Sequence, residues 1–198
     1  MDDSQAKADL LRYLQDARDA LLWKLDGLSE YDMRRPMTPT GTNLLGLVKH
    51  LTGVELGYFG DTFGRPFFGD DAPEWYRETA EDNADMWATA EESREHIVGL
   101  YRQAWEHTAA TVAELPLDAT GSVPWWPADR QSPTLHHLLV RVLADTQRHA
   151  GHADILRELS DGAVGYTAER DNMPPGDQAA WEEHWRRVEA AAREAGKS

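Results

Sequence analysis

Residues 145–158 read Asp-Thr-Gln-Arg-His-Ala-Gly-His-Ala-Asp-Ile-Leu-Arg-Glu, and three of these side chains can ligate a metal: Asp145, His149 and His152. They lie within a long helical pattern in which Leu135, Leu138, Val142, Ala153, Leu156 and Leu159 recur at threes and fours. On a helical wheel with Asp145 at zero, His149 falls at roughly 40° and His152 at roughly −20°. Leu138 and Leu156 both fall at roughly 20°, so the polar groups share the face expected to be buried. A buried carboxylate needs a partner, because stripping its water is costly. A divalent cation is one such partner. A hydrogen bond from the histidine one turn later is another. The helix alone leaves both open, and a matching ligand on a second helix favours the metal.

The second expected helix supplies that ligand. It starts near Thr42, a suitable N-cap, and runs to about Phe59, with Leu44, Leu47, Leu51, Val54 and Tyr58 as its apolar positions. His50 lies roughly 60° from Leu47 and 40° from Val54, so it also faces inward. Gly46, Gly53 and Gly57 sit beside it on the wheel. They indicate either close packing of a neighbour or open space for a ligand. Asn43 shares that sector and either contacts a bound cofactor or helps to cap. The candidate ligands are therefore His50, Asp145 and His149, with His152 competing with Asp145 to complete the set. A di-iron centre wants carboxylates on all four helices, and only one such cluster is present. One ion of Zn²⁺, Ni²⁺ or Fe²⁺ suits this donor set.

The other elements follow from periodicity and breakers. A first helix is expected over residues 4–25, with a stripe of Leu10, Leu14, Ala17, Leu21 and Leu25. A proline- and glycine-bearing loop follows, in which Arg34 and Arg35 either contact acidic neighbours or hold an anion. Residues 60–83 read as an aromatic-rich loop with a short helix at 73–80, and a third helix covers 85–115. Trp125 and Trp126 stand between prolines in a loop that either lids a pocket mouth or plugs the end of the bundle. Trp125 is the aromatic candidate for cofactor contact. The fourth helix starts at the Ser132-Pro133 pair and ends near Ser160. His96, His107, His136 and His137 are expected at the surface. A last helix over 177–195 carries Trp181, Trp185 and Val188, to cover a seam or a dimer face. The fold expected is all-α: an up-down-type four-helix bundle over 1–162, with a loop and helix over 163–198 packed on it.

Composition narrows the function. Of 198 residues, 41% are hydrophobic, enough for a core. The net charge of −15 argues against nucleic acid or an anionic membrane as partner. The chain has no Cys, so it offers no disulfide, thiolate ligand or cysteine nucleophile. The N-terminus shows no leader-like segment and no apolar run approaches about 18 residues, so a cytoplasmic location is the simplest expectation. No phosphate-binding loop, dinucleotide fingerprint, Gly-x-Ser-x-Gly or His-Glu-x-x-His is present. No separate general base is visible among the inward residues.

Residues 40–55, Thr-Gly-Thr-Asn-Leu-Leu-Gly-Leu-Val-Lys-His-Leu-Thr-Gly-Val-Glu, together with 148–158, Arg-His-Ala-Gly-His-Ala-Asp-Ile-Leu-Arg-Glu, resemble the DinB/YfiT-like superfamily. The nearest likeness is to its small actinobacterial DinB-like branch, over roughly residues 5–160. The resemblance implies a four-helix bundle, often dimeric. It also implies a divalent metal held by a helix-two His and by two helix-four ligands four residues apart. Here those places are taken by His50, Asp145 and His149. Many members carry His at the second place and mycothiol-dependent members carry Glu, where this chain has the shorter Asp145. His152 falls where many have Gln. Some members, a maleylpyruvate isomerase among them, are transferases that use mycothiol or bacillithiol. What the resemblance implies is therefore a metal-dependent transferase, acting as a homodimer. It would activate a low-molecular-weight thiol, such as mycothiol, for transfer to a small electrophile. A hydrolase using metal-activated water, or a non-enzymatic stress-related metal- or ligand-binding protein, are the alternatives.

Overall fold

The computed structural model describes residues 3–197. Among them are six helices: α1 (Asp3–Trp23), α2 (Glu30–Arg34), α3 (Leu44–Phe59), α4 (Arg94–Glu114), α5 (Leu135–Asp161) and α6 (Gln178–Ala195). The described residues hold only isolated β-bridges, Thr120 with Thr134 and Thr167 with Arg170. The all-α expectation holds. No helix is long and apolar enough to cross a membrane among the described residues.

Side-chain caps set the helix starts. Asn43, Ser93, Thr134 and Asp177 each accept a hydrogen bond from the backbone N–H three residues on. This satisfies one of the donors that a helix start leaves free. α3 and α5 thus begin just after the expected caps Thr42 and Ser132. Gly162, at φ 80°, ends α5 in the left-handed conformation that glycine adopts without strain. Two segments differ more. Residues 30–34 form α2 where a loop was expected, because Ser29 accepts from the Asp32 N–H and nucleates the turn. The third long helix starts at Arg94 rather than near Asp85. Asn83 sits at positive φ and Ala84–Met86 is a 3-10 turn, so the segment before Ser93 is turned onto α3. The helix expected at 73–80 contracts to a turn over Glu74–Tyr76.

α3 packs against α4 and α5, and α1 packs against α5. Two clusters of buried side chains each draw on all four long helices. One takes Leu21, Leu44 to Leu51, Ile97, Tyr101, Ala153 and Leu156. The other takes Leu14, Phe59, Val112, Leu135, Leu138 and Val142. Each helix therefore runs from one cluster to the other. α1 and α5 run one way, α3 and α4 the other, so the helices do not simply alternate in direction. Residues 60–93 must carry the chain back between α3 and α4. None of the residues of α6 is buried, and Trp185 and Val188 stay exposed.

Between the two clusters lies a buried ion pair. Arg18 Nε donates to Glu55 Oε1 at 2.8 Å, and Arg18 Nη2 donates to Glu55 Oε2. The Thr108 hydroxyl donates to Oε2 at 2.9 Å. Glu55 is 0% exposed. Burial pushes its carboxyl upward, and the Arg18 charge and hydrogen bonds oppose that shift. α1, α3 and α4 are joined through one carboxylate. Removing one partner strands the other charge in the interior, which costs about 3–5 kcal/mol, whereas replacing both by apolar groups is often close to neutral. Arg18→Met should therefore lower the urea midpoint steeply, and Arg18→Met with Glu55→Leu should recover most of the loss. Equal destabilisation by the single and double variants would show that the unpaired charge is not the source of the loss.

Candidate metal centre

α3 and α5 lie side by side, and this contact brings His50 to Asp145 and His149. One ligating atom from each lies within 4.8 Å of the others. Among the described residues no other group of three His, Cys, Asp or Glu side chains meets this condition. His149 Nε2 is 3.6 Å from Asp145 Oδ1. The His50 and His149 rings meet edge to face, 4.9 Å between centroids. The side chains are 22%, 37% and 14% exposed for His50, Asp145 and His149. They therefore sit at the margin of the helix seam, not at the centre of the apolar face that the wheel suggested.

A cation needs donors that are not already protonated. His149 Nδ1 is buried and has no hydrogen-bond partner among the described residues. Burial, followed by the nearby His50, lowers this imidazole from 6.5 to about 4, while Asp145 opposes the shift. The ring is neutral at ordinary pH, the form that can ligate. His50 Nδ1 is 2.6 Å from Asp85 Oδ2, and that hydrogen bond is the main cause holding the Asp85 carboxyl below its ordinary value. An ionised carboxylate only accepts, so Nδ1 is the donor, which leaves Nε2 as the nitrogen able to ligate. A carboxylate behind the imidazole is the usual support of a metal-binding histidine. The donor chemistry fits a divalent ion.

Asp85 was not among the residues singled out from sequence, because it lies off any periodic face. The crossover holds it in place. Asn43 Nδ2 donates to the Met86 carbonyl at 3.1 Å, and Lys49 Nζ donates to the Trp87 carbonyl at 2.9 Å. Lys49 also pairs with Glu92 at 2.9 Å. Gly46 allows this approach, since a Cβ there would stand 1.9 Å from the Met86 carbonyl oxygen. At Gly53 a Cβ would meet the Trp75 ring at 3.3 Å. At these two glycines close packing of the crossover is what the structure shows, not open space.

His152 is partly buried, its ring 5.4 Å from that of His149, and it lies outside the group of three. Asn43 is buried, with Oδ1 accepting from the Gly46 N–H and Nδ2 donating to the Gly41 and Met86 carbonyls. Trp125 is 60% exposed, its ring 6.0 Å from that of Tyr58. His96, His136 and His137 are exposed as expected. His107 is instead partly buried, because its Nε2 bonds the Arg65 carbonyl and its ring packs on Phe67. Arg34 and Arg35 contact Glu30 and Asp32, and Arg34 also donates to the Thr89 and Glu92 carbonyls.

The family model described as Mycothiol-S-transferase matches residues 9–162, which include every residue of this centre. It belongs to the DinB-like superfamily, in line with the resemblance read from the two motifs. No curated protein matches the chain.

Two outcomes are expected. Asp85→Asn should weaken metal affinity about 10–100-fold in a chelator competition, with the helical circular-dichroism signal retained. Unchanged affinity would remove Asp85 from the support of His50. In metal-free protein, the His149 ring signals should titrate near pH 4 by NMR. Between that value and the ordinary 6.5 the unfolded chain binds a proton that the folded chain does not. This group therefore makes the metal-free protein less stable as pH falls through that window. A His149 midpoint near 6.5 would contradict the burial of its imidazole.

Proposed function

Since the chain belongs to the Mycothiol-S-transferase family, we propose that it is a metal-dependent transferase that activates mycothiol for transfer to a small electrophile. The observation that carries this reading is the meeting of three ligating atoms from two helices within 4.8 Å. On this reading the four long helices form the family's four-helix bundle, with residues 163–198 as an appendage to it. His50 Nε2, the Asp145 carboxylate and one nitrogen of His149 hold the ion. Three protein ligands leave a place open for a cosubstrate. A divalent cation there supplies the Lewis acidity that favours the thiolate form of a bound thiol. The chain's own residues do the rest. Asp85 fixes the His50 ring and leaves its other nitrogen to ligate. The partial exposure of Asp145 gives the site a route from solvent. The absence of Cys means that the nucleophilic sulfur comes with the cosubstrate.

Purified protein should carry a single divalent ion per chain, and His50→Ala and His149→Ala should each lose most of it. Full occupancy in either variant removes that residue from the ligand set. Asp145→Asn should weaken binding more than His152→Gln. If His152→Gln strips the ion while Asp145→Asn keeps wild-type affinity, the site is built from His50, His149 and His152 instead.

A further inference from the structure

We propose that the side of α5 next to Asp145 is an anion-binding subsite, formed by Arg141 and Arg148, that takes a carboxylate group of the electrophilic cosubstrate. This rests on the transferase reading above and names the substrate class.

The sequence has 35 acidic against 20 basic residues, and many of its cations have a carboxylate neighbour. Arg18, Lys24, Lys49, Arg65 and Arg157, for example, all have one. Among the described residues Arg141 and Arg148 form no ion pair, although Asp145 lies within one turn of both. On the helical wheel they fall at roughly −40° and −60° from Asp145, while His149 falls at roughly 40° on the other side. Asp145 thus divides the metal centre from the two guanidinium groups.

The space beside them fits a small molecule. A groove of about 810 Å³ is lined by Arg141, Asp145 and Arg148 together with His137. It adjoins a second groove of about 520 Å³, which shares His137 and Arg141 and adds Trp126 and Arg130. Arg141 is positioned by aromatic groups, not by acid. Its guanidinium lies 5.0 Å over the Trp126 ring and 5.6 Å from the Tyr58 ring, and its Nε donates to the Tyr58 hydroxyl at 3.3 Å. Trp126 Nε1 donates to the same hydroxyl at 3.2 Å. The Nη groups of Arg141 are left without a protein acceptor among the described residues. Stacked, charged and unpaired, the fork is arranged for a planar carboxylate. An anion seated there would lie against the wall that Asp145 also forms, beside the reacting centre.

The test uses the full-length zinc-loaded protein without thiol, and isothermal calorimetry with two aryl chlorides that differ in one group: 4-chloro-3-nitrobenzoate and 4-chloro-3-nitrobenzamide. The acid should bind about tenfold more tightly than the amide, roughly the worth of one charge-assisted hydrogen bond. Arg141→Gln with Arg148→Gln should abolish that preference while metal content stays unchanged. Arg148→Gln alone, removing a guanidinium that bonds no group among the described residues, should weaken it and serves if the double variant does not fold. Equal binding of acid and amide, or no binding of the acid, overturns the proposal. So does a preference that survives in the arginine variants, which would assign the carboxylate to the metal. If wild-type protein conjugates neither compound to mycothiol, the transferase reading fails while the calorimetry still decides the subsite.

Discussion

The site depends on the hydrogen bond from His50 to Asp85, and that bond depends on the path of the chain between α3 and α4. These two helices run in the same direction, so residues 60–93 must return along the outside of α3 before α4 can start. On the way they lie directly on the first turns of α3. Asn43 and Lys49 receive the backbone at Met86 and Trp87, and Gly46 supplies the clearance. Asp85 is therefore delivered to His50 by backbone contacts and not by its own helix. A side chain at residue 46 would push the carboxylate away from the imidazole and loosen the ligand it orients.

The protein separates two kinds of charged group. Arg18 and Glu55 are sealed inside, fully paired, and connect three helices. Asp145 stands at the margin of the seam, 37% exposed, so its carboxylate keeps contact with water. An ion bound as proposed would meet the neutral His149 imidazole, the oriented His50 ring and the Asp145 carboxylate. The same marginal position lets α5 present ligands on one side and unpaired arginines on the other.

Periodicity made the helical elements and the His50, Asp145, His149 group legible, because inward positions recur at threes and fours on α3 and α5 and share one seam. It failed where backbone geometry decides. Asp85 and the start of α4 depend on a 3-10 turn and on Ser93 as cap, neither of which a wheel detects. The pairing of Arg18 with Glu55 is not legible in sequence, because a charged residue beside an apolar stripe usually faces water and only the tertiary contact shows them paired. His107 was read as a surface residue from its place off the stripe, but a loop carbonyl at Arg65 comes to it. The three glycines of α3 were ambiguous in sequence, since close packing and an open cavity both require the same missing Cβ.

The most direct test of the central claim is X-ray absorption at the metal edge of zinc-loaded protein, with and without saturating mycothiol. Without thiol, the first shell should contain only nitrogen and oxygen donors, with the multiple scattering of two imidazoles. With mycothiol, a sulfur should enter at about 2.3 Å. A shell that remains nitrogen and oxygen at saturating mycothiol, or one without two imidazoles at the start, would contradict the account.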